Sequence, residues 1–206
     1  MQKNMAPTKG NLMTAKNTLR LSRQGYEMLD KKRNILIREM MNLIEEAKSV
    51  EAEIEEHFSA AYKALESANI IMGVSKVQSY AKNAVLENGV GIDLRSVMGV
   101  EIPTLDIAEQ EKRPPYGFGG TSAALDEARI RFGEVKELMV RLTEIENSVY
   151  RLAMNIKKTQ KRANALENIT IPMYEEITKE ISNALEEKER EEHTRLKIIK
   201  RTKEQA

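Results

Sequence analysis

Residues 12–61 read LMTAKNTLRLSRQGYEMLDKKRNILIREMMNLIEEAKSVEAEIEEHFSAA. Alternating steps of three and four from Leu12 land on Ala15, Leu19, Ser22, Tyr26, Leu29, Arg33, Leu36, Met40, Leu43, Ala47, Val50, Ile54, His57 and Ala61. Most of these are apolar, and the period of 3.5 holds for seven heptads. That spacing marks a coiled-coil seam rather than a merely amphipathic helix. Between Leu12 and Ala68 there is no proline, and the only glycine is Gly25. At 1.5 Å per residue the predicted helix is on the order of 85 Å long, too long for one element of a compact domain. Asn11 is the expected N-cap and Gly73 the expected C-terminal stop.

A second seam follows the glycine pair Gly119-Gly120. Thr121 or Ser122 is placed to cap it, and Asp126 and Glu127 fall in the first turn, where the helix dipole favours acids. The seam runs through Leu125, Ala128, Phe132, Val135, Met139 and Leu142, slips by three residues to Ile145, and continues through Val149, Leu152, Ile156, Thr159, Ala163 and Leu166. Such a slip is a stammer, which overwinds a coil locally. Past Pro172 the apolar positions are Ile177, Ile181, Leu185, Leu196 and Ile199. Pro172 lacks a donor and clashes with the preceding turn, so a kink is expected there.

Residues 73–120 differ. They hold seven of the ten glycines, with Pro103, Pro114 and Pro115. Val90, Ile92, Leu94, Val97, Val100, Ile102 and Leu105 interleave with small or polar residues, which predicts a β-hairpin over 90–105 turning near residues 96–99. A short helix is expected over 75–87 and a loop over 112–120 (KRPPYGFGG). A lone hairpin is marginal in water, so it must lean on the helices or on a partner. The expected organisation is therefore a long helix in 1–72, a middle region in 73–120 and a second long helix in 121–206, kinked near Pro172. The predicted fold is mainly α, a long antiparallel two-helix coiled coil with a small insertion. Parallel homodimerisation of each seam is the alternative.

Composition removes whole classes of function. There is no cysteine, so disulfides, thiolate metal sites and a cysteine nucleophile are out, and a reducing compartment is expected. No apolar run reaches the roughly 18–20 residues that span a bilayer. Residues 1–11 lack the basic-then-apolar pattern of a leader. His57 lies on the seam and His193 follows Glu191 and Glu192; neither has a second histidine or an aspartate at helical spacing to complete a metal pair. Glu45, Glu46, Glu51, Glu53, Glu55 and Glu56 read as a solvated face. Gly117-Phe118-Gly119-Gly120 precedes a helix but lacks the lysine and hydroxyl of a phosphate loop. Of the eleven methionines, Met40 and Met139 fall on seams, where packing is the expected role. No cofactor, metal or catalytic residue is expected.

The formal net charge of +1 conceals a pattern. Residues 1–26 contain Lys3, Lys9, Lys16, Arg20 and Arg23 and no acid; residues 195–203 contain Arg195, Lys197, Lys200, Arg201 and Lys203 and no acid. In an antiparallel pair both runs lie at one end. The helix dipole accounts for cations at a C-terminus but not at an N-terminus, so a basic end built for an acidic or polar partner is expected.

Three stretches carry a family resemblance: PTKGNLMTAKNTLRLSRQGYEMLDKKRNILIRE (7–39), VMGVEIPTLD (97–106) and KKTQKRANALENITIPMYEEI (157–177). The last is the most specific, with Arg162, Asn164, Ala165, Leu166, Glu167, Ile171 and Pro172. The chain resembles the D-subunit family of V-type (archaeal and bacterial V/A-type) rotary ATPases. The resemblance implies a non-catalytic central-stalk rotor that couples ATP hydrolysis or synthesis to ion transport, including hydrogen ion transport. It implies contact with the ring of catalytic A subunits and their B companions through Lys3, Lys9, Lys16, Arg20, Arg162, Arg195, Lys197, Lys200 and Arg201. It also implies contacts through the hairpin at Val97, Met98, Gly99 and Val100. The implied partners are the A, B and F subunits and the adaptor on the membrane ring, with residues 40–68, 123–150 and the hairpin as the expected surface for F. Neither nucleic acid nor membrane insertion is implied, and the location is cytoplasmic, peripheral to the membrane.

The rival readings are a general coiled-coil scaffold or tether, which needs no hairpin, and a nucleic-acid-binding rod using the basic ends, which predicts steep salt dependence.

Overall fold

Helix α1 spans Lys9–Met72 and ends where Gly73 takes a φ of +84°, a left-handed conformation that a side chain disfavours. The Gly73 carbonyl then accepts the Lys76 N–H at 3.1 Å, so one residue stops α1 and starts α2 (Val74–Lys82). Strands β1 (Val90–Val97) and β2 (Val100–Ile107) follow, then α3 (Ala123–Ala165), a π-helical turn (Leu166–Thr170) and α4 (Ile171–Glu204). The computed structural model describes residues 5–82, 89–107, 116–117 and 119–204. Lys3, the distal part of the expected 75–87 helix and most of the expected 112–120 loop lie outside the described residues.

The chain divides into two compact units, Met1–Asn34 with Lys157–Ala206, and Ile35–Ile156. Within each, α1 runs antiparallel to its partner. In the first unit Lys9 pairs with Glu189 and Arg23 with Glu175; in the second Glu46 pairs with Arg141 and His57 with Glu134. The partner number falls as the α1 number rises. The fold is mainly α, an antiparallel coiled coil with an inserted short helix and β-hairpin.

All fifteen seam positions of α1, from Leu12 to Ala61, are buried or half-buried. The second seam needs three corrections. Met139 is 48% exposed, and Leu138 takes the half-buried place. The reason is phase: Leu138, Ile145, Leu152 and Thr159 are seven apart, and the buried Ile145, Leu152 and Thr159 fix the heptad back to Leu138. The three-residue slip therefore precedes Leu138 instead of following Leu142. Leu196 and Ile199 are exposed, because every residue after Leu185 in α4 is exposed.

The helix starts also differ from expectation. Thr8, not Asn11, caps α1: its Oγ1 accepts the Asn11 N–H at 3.2 Å, while the Asn11 side chain donates to the Ala6 carbonyl at 2.8 Å. At α3 the Ser122 carbonyl accepts the Leu125 N–H at 3.0 Å, but the Ser122 hydroxyl is buried with no partner.

Before Pro172 the helix widens. The Ile171 N–H bonds the Leu166 carbonyl five residues back, and the Thr170 hydroxyl donates to the Ala165 carbonyl at 3.3 Å. The π turn changes the carbonyl register just where the proline ring would meet the preceding turn.

The hairpin turns through Met98 (φ 50°) and Gly99 (φ 74°). Two positive φ values between directly paired strands define a type I′ turn. Val97↔Val100 closes the ladder and Val90↔Ile107 ends it. Val100 and Ile102 are buried with Leu36 and Leu152, and Met40, Leu43, Val97 and Ile156 pack around them. Burying side chains of this size contributes roughly 1.5–3 kcal/mol each, which is what a two-stranded hairpin lacks on its own.

Candidate interaction surfaces

In the terminal unit Ala15, Ile177 and Ile181 form the buried cluster, with Met5, Leu12, Met173, Tyr174 and Leu185 around it. Met5 therefore folds back onto the helix pair. The Lys9 Nζ lies 2.9 Å from Glu189, so the start of α1 sits beside Glu189 of α4. That hydrogen bond, with the charge of Glu189, raises the Lys9 pKa. Both basic runs lie toward this end of the unit, the one on α4 extending past the start of α1. Lys16, Arg20, Arg162, Lys197 and Arg201 are all exposed, and among the described residues none has a carboxylate within salt-bridge reach.

Past Glu189 no described residue covers α4. Its last stretch is held by pairs one turn apart: Arg190 with Glu186, Arg195 with Glu191, and Lys200 with Glu204. Such pairs stabilise an isolated helix by about 0.2–0.5 kcal/mol each, best with the acid N-terminal to the base, as in the first two. Arg201 and Lys203 in the last turn complement the dipole. Leu196, Ile198 and Ile199 are 67%, 59% and 53% exposed among these charges. A cationic helix with bare aliphatic side chains can grip a polar, partly apolar cavity.

Deeper in the same unit the seam becomes polar. Arg33 occupies a seam position, donates to Gln160 at 2.8 Å and pairs with Asp30; Gln160 in turn donates to Asn164 at 2.6 Å. The Tyr26 phenol bonds Glu167, which raises its pKa. Polar residues on a seam fix register at some loss of stability. The adjoining π turn leaves Glu167, Asn168 and Ile169 exposed, Ile169 by 63%. Sequence reasoning singled out Pro172 but missed this turn.

The hairpin unit presents a different surface. Of the four hairpin residues expected to make contacts, Met98 and Gly99 are exposed at the turn, whereas Val97 is half-buried and Val100 buried against the helices. Val97 and Val100 hold the hairpin down. The outer edge of β2 is answered by α3. Glu144 accepts the Leu105 N–H at 3.0 Å, and Arg151 donates to the Glu101 carbonyl at 3.2 Å. A cleft of about 520 Å³ opens beside this contact, lined by Glu46, Arg141, Glu144, Pro103 and Leu105 among others.

At the end of the unit Ala68, Val77 and Leu125 form a buried cluster with Tyr80 and Tyr116. The Tyr116 hydroxyl donates to Asp126 at 2.7 Å. Burial, then this bond, pushes its pKa up to about 12.

Other candidate chemistry is dispersed. His57 Nδ1 lies 3.3 Å from Glu134, a helix-to-helix contact, and His193 is exposed on α4. Of the six glutamates in 45–56, Glu46 is half-buried and bound to Arg141 at 2.8 Å, and the others are exposed. Among the described residues no group of three His, Asp or Glu could hold a metal ion, and no helix is long and apolar enough to cross a membrane.

The family model for the ATP synthase D subunit matches residues 11–201. The chain is 46% identical over 196 residues to the V-type ATP synthase D subunit of Thermotoga neapolitana, covering 95% of this chain and 97% of the relative. It is 36% identical over 197 residues to the A-type ATP synthase D subunit of Pyrococcus furiosus, covering 94% and 92%. It is 37% identical over 198 residues to that of Thermococcus sibiricus, with the same coverage.

Proposed function

The chain belongs to the ATP synthase D-subunit family, and we propose that it is the non-catalytic central rotor shaft of a V/A-type rotary ATPase. The antiparallel helix pair is the observation that carries this reading. A shaft transmits torque by resisting twist, and two helices locked by a seam and by cross-helix pairs such as Glu46–Arg141 resist it better than one. ATP turnover in the A and B ring would drive the chain round, and the membrane ring would move ions in step.

The residue-level assignment follows the surfaces. The terminal end, with Lys9, Lys16, Arg20, Arg162, Arg195, Lys197, Lys200 and Arg201, faces the A and B ring, and Lys3 is assigned with them. Exposed cations there make screened contacts that break and re-form cheaply, which a turning bearing requires. The hairpin, with residues 40–68 and 123–150, faces the F subunit and the membrane-ring adaptor. In this reading residues 1–72 and 121–206 form the shaft, residues 73–120 its docking insertion, and the chain sits at the cytoplasmic side, peripheral to the membrane.

The chain has no cysteine, so Ile71→Cys at the exposed end of α1, outside the surfaces assigned to partners, gives a single attachment point. In a complex rebuilt from this chain with the A, B and F subunits, a bead fixed there is expected to turn when ATP is supplied. A stationary bead on a complex that hydrolyses ATP at its full rate would refute the shaft. Replacing Lys9, Arg195, Lys197, Lys200 and Arg201 by glutamine tests the bearing: assembly or turnover is expected to fall, and unchanged values of both would remove those residues from it.

A further inference from the structure

The two edges of the hairpin are treated differently. The type I′ turn makes Val97↔Val100 a hydrogen-bonded pair, so Arg95↔Ile102 and Asp93↔Thr104 are hydrogen-bonded as well. The backbone groups of the alternate residues point away from the ladder. On β2 these belong to Glu101, Pro103 and Leu105. Arg151 binds the first, Pro103 has no N–H to leave bare, and Glu144 binds the third. On β1 the outward groups belong to Ile92, Leu94 and Ser96, and among the described residues no bond covers them. Val90, Ile92 and Leu94 are 45%, 68% and 59% exposed. This edge carries no proline or lysine to discourage another strand.

We propose that β1 is a self-complementary edge that pairs antiparallel with β1 of a second copy of this chain, about a two-fold axis at Leu94. Two features commit the edge to its own copy. An antiparallel pair centred on Leu94 matches outward backbone groups to outward groups: Leu94 with Leu94, and Ile92 with Ser96 on both sides. In that register Asp93 lies across from Arg95 of the other copy, and Arg95 across from its Asp93. Those are non-hydrogen-bonded positions, where side chains approach most closely. Both residues are exposed, and the one ion pair they make among the described residues, Arg95 to Glu39, is 3.9 Å long with Arg95 61% exposed.

The pairing concerns the free chain, so its test is separate from that of the shaft. The full chain is expected to shift from monomer to dimer as its concentration is raised in sedimentation or light scattering. Asp93→Arg sets like charges across the axis twice and should weaken the dimer by at least about tenfold. The swap D93R/R95D restores both opposite pairs and should restore the dimer, with circular dichroism confirming the helices in each variant. With a short bis-maleimide Leu94→Cys should form a covalent dimer, since directly paired residues lie ~5.5 Å apart, whereas Met98→Cys at the turn should not. A wild-type chain that stays monomeric overturns the proposal. So does a dimer indifferent to D93R, or one that fails to cross-link through residue 94.

Discussion

The two units bury different kinds of side chain. In Ile35–Ile156 the fully buried residues include Leu36, Val50, Val135, Leu152 and Ile102, the largest fully buried side chains among the described residues. In the terminal unit the least exposed seam residues are Ala15, Ala163, Thr159 and Ser22, with Ile177 and Ile181 as the larger exceptions. The contrast tracks a third layer. Two helices alone form a thin seam, which here covers side chains up to the size of Val50 and Val135 at 2% exposure. Where the hairpin roofs the pair, Leu36 and Leu152 reach zero exposure. The insertion therefore completes the core of one unit as well as decorating it.

This comparison can be broken most severely at Leu152. Leu152→Ala removes the centre of the roofed cluster and should cost about 2–5 kcal/mol in urea unfolding. Amide exchange in β2 should rise with it. If the hairpin merely sat on a finished helix pair, exchange in β2 would rise without the large global loss. The opposite change probes the thin seam. Ala163→Leu overfills a site with 1% exposure and should cost about 1–3 kcal/mol; a neutral result would mean that the terminal pair spreads freely.

A smaller effect is expected at Tyr116. Tyr116→Phe forfeits the bond to Asp126 and should cost about 1 kcal/mol. The folded pKa of about 12 lies above the ordinary 10.0, so the protonated phenol favours the folded state. That contribution is complete below pH 10 and disappears as the pH climbs through 12. In the wild type one phenolate should appear late in an ultraviolet titration, and the Phe variant should lack it. The smallest effect belongs to the end of α4. The double variant L196S/I199S should shift stability by no more than about 0.5 kcal/mol, because both side chains are already in water. A larger loss would reveal an intramolecular cover for that helix.

Much of the fold was legible because heptad spacing encodes a seam directly. All fifteen α1 positions followed from it, and the two basic runs located the terminal end. The errors arose where a local pattern depends on distant phase or partners. Met139 and Leu138 are both apolar neighbours, and only the ladder from Ile145 to Thr159 decides between them. Leu196 and Ile199 keep helical spacing, but burial also needs a facing helix, and the start of α1 stops short of them. Alternation revealed the hairpin, yet which of its faces meets α1 and α3, and hence that Val97 and Val100 turn inward, depends on docking. The π turn left only a proline as its trace, since widening a helix is a carbonyl-register event with no residue code of its own.

The unequal reach of α1 and α4 has a mechanical consequence. Beyond Glu189 a single helix continues through Glu204, cross-braced by charge pairs rather than by a companion. Salt screens exposed charges over roughly a Debye length, ~8 Å at physiological strength, while an apolar seam is indifferent to it. The protruding segment is thus a strut whose stiffness is tuned by ionic strength, mounted on a base whose stiffness is not. Bending under load would concentrate at that junction, leaving the helix pair below to carry twist.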